Sequence, residues 1–196
     1  MRKSVAIIGK AATAVQAPYD DPEWDIWGLA WVTYPRASLL FDIHTPEFKA
    51  SAPYDTHYNS HRNPEYFETV NALGVPVICH PDAIGDGPLK FKHGWGFPFG
   101  DVEADLPFAY LECTVSYMVA LAMLRGYERI GFWGCHFAVN EERRLQLPSV
   151  TYLIGLAQGR GIDIEIGPGQ PLLCSGYVQG RYGVDQRHRW GGGWNA

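Results

Sequence analysis

Ser4-Val5-Ala6-Ile7-Ile8-Gly9-Lys10-Ala11-Ala12-Thr13 stands almost at the start of the chain, and its reading decides the fold. A short apolar, β-branched run closed by glycine is the pattern of a strand buried on both faces that feeds a tight turn. Ala11 to Gln16 then read as the opening of a helix. Small residues in such a turn let backbone N–H groups approach an anion at a helix amino terminus. Gly9, Lys10 and Thr13 are therefore candidates to contact an anionic ligand, and close packing of the turn accounts for the same residues equally well. The turn is neither a complete G-x-G-x-x-G fingerprint nor a Walker A loop, because Lys10 follows the first glycine directly.

The same punctuation recurs outward from this strand. Asp25 to Ala30 and Ser38 to Ile43 are further apolar runs, separated by the turn-forming Pro35. Thr45-Pro46-Glu47 resembles a helix start, and residues 51–64 read as a long surface loop. Asn63-Pro64-Glu65 caps a helix to about Leu73, stopped by Gly74. Val75 to Cys79 is the next strand. From Ala83 to Pro107 glycine, proline and aromatic residues crowd together, the composition of a binding loop or lid. Cys113 to Arg125 is the strongest helix, with Thr114 as its cap and Val115, Met118, Val119 and Ala122 on one face. Ile130 to Trp133, a helix from Ser149 to Gln158 entered through Glu141-Glu142-Arg143-Arg144, and Ile162 to Ile166 complete the series. Strands alternating with helices predict right-handed crossovers and a mostly parallel α/β sheet with helices on both faces, a Rossmann-like domain.

The chain has 196 residues and a formal net charge of −5, which fits one domain with a sizeable core and opposes strong non-specific binding to nucleic acid. Residues 1–175 are read as a nucleotide-binding domain, and the glycine-rich residues 176–196 as an extended or partly disordered arm. No run reaches the roughly 18 apolar residues of a membrane span. Met1-Arg2-Lys3 leads straight into the first strand, so a cytoplasmic protein is expected. The four cysteines, Cys79, Cys113, Cys135 and Cys174, form no C-x-x-C pair and read as buried free thiols.

Open parallel sheets bind ligands outside the carboxyl ends of their strands. Asp42 and His44 close one expected strand, His80 and Asp82 another, and His136 lies just past a third, after Gly134. Each histidine alone reads as a hydrogen-bonded structural group. Convergence of Asp42, His44, His80 and His136 at one edge would supply a general base and its orienting partner. Thr114 and Ser116 offer hydroxyls and amides to a phosphate, or simply cap their helix. His57 and His61 have i, i+4 spacing, but flanking prolines and the lack of an H-E-x-x-H glutamate set a zinc site aside, so no metal site is assigned. Lys90, Lys92, His93 and Trp95, with Arg181, Arg187, Arg189 and Trp190, interleave cationic and aromatic groups as a nucleic-acid surface does, and as solvent-facing charges also do.

Thr114-Val115-Ser116, Ala120-Leu121-Ala122, Gly126-Tyr127-Glu128-Arg129-Ile130 and Gly134-Cys135-His136-Phe137 together resemble a segment shared by bacterial sialyltransferase-like glycosyltransferases and archaeal pterin diphosphokinase-like proteins. In those families a T-S-G-type helix start, a G-Y-x-x-I strand and a G-x-D-F turn line a nucleotide site. Here Val115 replaces the usual serine and His136 stands where aspartate is common. The whole chain is also similar to small phage-encoded Rossmann-like proteins, through the Gly9 turn, residues 18–29 and Gln146 to Pro148.

The resemblance implies a nucleotide-dependent transferase moving a sugar from a nucleotide-sugar donor. A modified DNA base is an attractive acceptor if the gene is viral. The donor phosphates would lie against Gly9 to Thr13 and Thr114 to Ser116, with His44, His80 or His136 as base. Two rivals keep the fold: a diphosphotransferase or nucleotide hydrolase with Mg²⁺ on Asp42 and Asp82, and a non-catalytic nucleotide-binding protein.

Overall fold

A computed structural model of the chain describes residues 3–44, 64–137, 142–169 and 172–173. The candidates His57, His61, Arg181, Arg187, Arg189 and Trp190, the helix start at Thr45, Cys174 and the arm at 176–196 lie outside the described residues. Seven strands form one sheet: β1 (Ser4–Ile8), β2 (Trp24–Leu29), β3 (Ala37–Asp42), β4 (Val77–Cys79), β5 (Gly94–Gly96), β6 (Arg129–Trp133) and β7 (Asp163–Ile166). Their order is β5-β4-β3-β2-β1-β6-β7, and every neighbouring pair is parallel. The expected Rossmann-like parallel sheet is present.

β1 lies inside the sheet, between β2 and β6, and is buried along its whole length. Successive side chains of a strand point to opposite faces, so its apolar run divides in two. Val5 and Ile7 join Trp27, Leu29, Phe41 and Phe132 on one face. Ala6 and Ile8 join Ile26, Leu40, Cys79 and Trp133 on the other. Helix α1 (Pro64–Ala72) covers the second face with Tyr66, Phe67 and Val70. Helices α2 (Phe99–Asp105), α3 (Thr114–Leu124) and α4 (Leu147–Gly159) belong to the first. Large side chains such as Trp27, Phe41 and Phe132 are fully enclosed, each contributing about 2–3 kcal/mol by removal from water.

Three local expectations give way to tertiary context. The helix expected after Gly9 is only a 3-10 turn, Ala12–Gln16, with no buried residue. The 83–107 segment is not a bare lid, because it contains β5 and α2 and buries Phe91, Phe97 and Val102. Helix α3 has no single apolar face: Thr114, Val115, Ser116 and Met118 through Met123 are all buried. It touches α2, α4 and the sheet together, so apolar residues are favoured around most of its circumference. Its cap is Cys113 rather than Thr114. Ser116 Oγ donates to the Cys113 carbonyl at 2.6 Å and accepts from the Cys113 amide at 3.1 Å.

Among the described residues, no helix is long and apolar enough to cross a membrane.

Candidate functional site

From β1 the chain builds outward through β2, β3, β4 and β5, then returns to place β6 on the other side of β1. The strand order therefore reverses between β1 and β6, and the crevice at the carboxyl ends of those two strands is where such sheets hold ligands. The two turns that leave these strands are interlocked. The Gly9 amide donates to the Trp133 carbonyl at 2.7 Å, and the Ala11 amide to the Gly134 carbonyl at 3.1 Å. A Cβ on Gly9 would stand 2.2 Å from the Gly134 oxygen. Gly134 itself has φ of +69°, and a Cβ there would meet the Gly9 oxygen at 2.9 Å. The close approach that the Gly9 turn requires is thus to the β6 turn.

Thr13 bridges this crevice. Its Oγ1 accepts from the Gly134 amide at 3.2 Å and lies 2.7 Å from His136 Nε2. The next residue, Phe137, has φ of +47°, a conformation unfavourable for a bulky side chain. Its ring is buried in the core, which holds the backbone there. Strain of this kind, of order 1–3 kcal/mol, persists where surrounding packing enforces it and is concentrated at functional sites. Cys135, between Gly134 and His136, is fully buried, and burial pushes its thiol up to about 12. It is an inert packing group.

A second centre closes β3. Asp42 is a fully buried acid. Its Oδ1 lies 3.1 Å from His44 Nδ1 and accepts from the His44 amide at 3.4 Å, and its Oδ2 accepts from the Tyr66 hydroxyl at 3.1 Å. His44 retains 19% exposure, and its ring packs 5.8 Å from that of Trp31. Burial, and then the Asp42 charge, hold the Tyr66 phenol well above its usual range, so the hydroxyl remains a donor. Between the centres lies Tyr34. Its hydroxyl donates to the Ile8 carbonyl at 3.1 Å and accepts from the Leu29 amide at 3.2 Å, tying the ends of β1 and β2 together.

His80 ends β4 on the same edge, but its Nδ1 accepts from the Asp82 amide at 3.3 Å and caps the turn Pro81–Ala83. The edge therefore carries two centres rather than one cluster. His44 and His136 follow strands three positions apart, a separation of about 14 Å at the usual strand spacing. Of the other candidates, Ser116 is fully buried and Thr114 nearly so. Lys10 and Lys92 are exposed, and the Lys90 ammonium donates to the Asp82 carbonyl. Tyr66 and Tyr34 were not expected. Each acts through a contact with residues remote in the sequence, for which no local motif exists.

No family model and no curated protein matches the chain. Solved structures do. The sialyltransferase CstII from Campylobacter jejuni in complex with cytidine-5'-monophosphate superposes with a TM-score of 0.51 at 12% identity, covering 87% of this chain and 82% of that one. The same enzyme with CMP-3FNeuAc gives 0.52 at 14% identity, over 87% and 84%. Its complex with a trisaccharide acceptor and CMP gives 0.51 at 14%, over the same shares. At such identities the likeness is one of fold: the chain shares the α/β architecture of these solved structures.

Proposed function

We propose that the protein is a nucleotide-dependent transferase of glycosyltransferase type that uses a nucleotide-sugar donor. The observation that carries this reading is the Thr13–His136 pair, set at the reversal of strand order and backed by the interlocked Gly9 and Gly134 turns. The similar solved structures hold CMP or a CMP-sugar analogue, and one holds an acceptor as well, which supports the same assignment. In this reading the donor phosphates lie over the Gly9–Thr13 and Gly134–His136 turns. Lys10 is available to offset their charge and His136 to hydrogen-bond a phosphate oxygen. His44 accepts the proton of the acceptor hydroxyl as its oxygen bonds to the sugar carbon. The bond from that carbon to the donor phosphate breaks, and its electron pair leaves with the nucleotide.

Asp42 fits this scheme better than a Mg²⁺-dependent diphosphotransfer. Both of its oxygens already accept from proton donors, the His44 amide on one side and the Tyr66 hydroxyl on the other. The acceptor is best sought among sugar hydroxyls, with a modified DNA base as a second class.

Equilibrium binding of a panel of nucleoside monophosphates tests the assignment, followed by mass spectrometry of nucleotide-sugars incubated with sugar acceptors and, separately, with modified DNA. Binding that weakens at least tenfold in Thr13→Val and His136→Asn, together with release of free nucleotide, is expected. Binding with no chemical change to any donor would make the protein a nucleotide-binding protein instead. No binding at millimolar nucleotide would overturn the proposal.

A further inference from the structure

We infer that Asp42 and Tyr66 are positioning residues for His44: together they hold its imidazole with the proton on Nδ1 and present Nε2 as the basic nitrogen. The proton-accepting role of that nitrogen rests on the transferase reading, but the tautomer does not.

The inference starts from the burial of Asp42. A carboxylate with no exposed surface is retained only when its oxygens receive good donors, since desolvation otherwise outweighs any attraction. Here the donors come from two different elements. His44 supplies both its amide and its ring Nδ1 from the residues just after β3. Tyr66 reaches across from α1 with its hydroxyl. In its ionised form, which the three donors favour, Asp42 only accepts, and this assigns the ring proton to Nδ1, the nitrogen 3.1 Å away.

The surroundings limit the alternatives. Tyr66 is held edge-on against Phe67 and Phe91, at centroid distances of 5.1 Å and 6.0 Å, which fixes the position of its hydroxyl oxygen. Trp31 packs beside the His44 ring and opposes its rotation. A histidine whose Nδ1–H is oriented by a buried carboxylate, itself steadied by a second donor, is the arrangement that sets imidazole tautomer and direction in proton-transfer sites.

The test is long-range 1H–15N correlation NMR on the ¹⁵N-histidine-labelled full chain, at a pH where imidazoles are neutral, with His44→Gln used to assign the signal. Unconstrained histidine favours the Nε2–H form, so a pyrrole-type Nδ1 and a pyridine-type Nε2 at His44 are the expected and distinctive result. Tyr66→Phe, which removes one oxygen from a ring otherwise held by packing, should shift His44 toward a mixture of the two forms. Asp42→Asn should shift it further. An Nε2–H pattern in the wild-type protein overturns the inference, and so does a wild-type pattern that neither substitution moves. Because no nucleotide or acceptor is added, the spectrum can fail while the transferase proposal stands, and the converse also holds.

Discussion

Thr13 Oγ1 and His136 Nε2 meet at 2.7 Å across 123 residues of chain, and the same hydroxyl accepts the Gly134 amide. One side chain thereby fixes the backbone of the β6 turn and the ring that follows it. Thr13→Val keeps the shape and removes both interactions. Loss of about 1–3 kcal/mol in urea denaturation is expected, because the partly buried amide and ring lose a partner. Thr13→Ser should recover most of it. Equal stability for the valine and serine variants would show that the hydroxyl is not what secures the turn.

The Gly9–Gly134 contact predicts non-additivity. Gly9→Ala places a methyl 2.2 Å from a backbone oxygen, so the two turns must separate, at about 1–3 kcal/mol. Gly134→Ala adds the strain of a left-handed conformation to a similar clash. Once either substitution has forced the turns apart, the second meets less resistance. The double variant should therefore lose at least about 0.5 kcal/mol less than the sum of the single losses. A strictly additive double variant would indicate that the turns are not in mutual contact.

Much of this architecture is legible in the sequence because it is local. The apolar run before Gly9 has the pattern of a doubly buried strand, and strands closing on or just before Asp42, His80 and Gly134 place those residues at the carboxyl edge. The limits are equally physical. Tyr66 reads as one apolar position of α1, and nothing near it in sequence announces that its hydroxyl reaches Asp42. Cys113 displaced Thr114 as the cap of α3 because Ser116 bonds back to it, a choice settled by the buried position of that helix. The 83–107 segment looked like a lid because glycine and proline mask the three-residue strand β5, which pairs only because β4 lies beside it.

Tyr34 offers a test of how the site edge is held. Its hydroxyl joins the Leu29 amide to the Ile8 carbonyl in a buried position. Its ring fills the space where a Cβ on Gly28 would lie 2.1 Å from it. Tyr34→Phe should keep the ring packing but strand the Leu29 amide, lowering stability by about 1–3 kcal/mol. Amide exchange at Leu29 should accelerate by more than global unfolding explains, since the amide is released locally. An exchange rate that changes no more than that of β1 amides would argue that Tyr34 contributes packing alone.

Alkaline pH should expose the buried acids of this core. Burial is the largest cause holding Cys135 at about 12, against an ordinary 9.0, and it likewise raises Tyr34, Tyr66 and Tyr127 above 10.0. Each of these groups keeps its proton in the folded state and loses it sooner when unfolded. Their contribution is complete below pH 9. Above that the unfolded state binds fewer protons, so stability falls as pH rises, first through the Cys135 thiol and then through the tyrosines. One such group contributes a slope of up to about 1.4 kcal/mol per pH unit. Urea midpoints measured from pH 8 to 11 should therefore decline progressively and more steeply past pH 10. Cys135→Ala should be less stable at pH 8, where it leaves a small cavity, but should lose stability less steeply between pH 9 and 10, because alanine has no proton to lose. Parallel curves for the two proteins would mean that the thiol titrates alike in the folded and unfolded chains, and that Cys135 is reached by solvent.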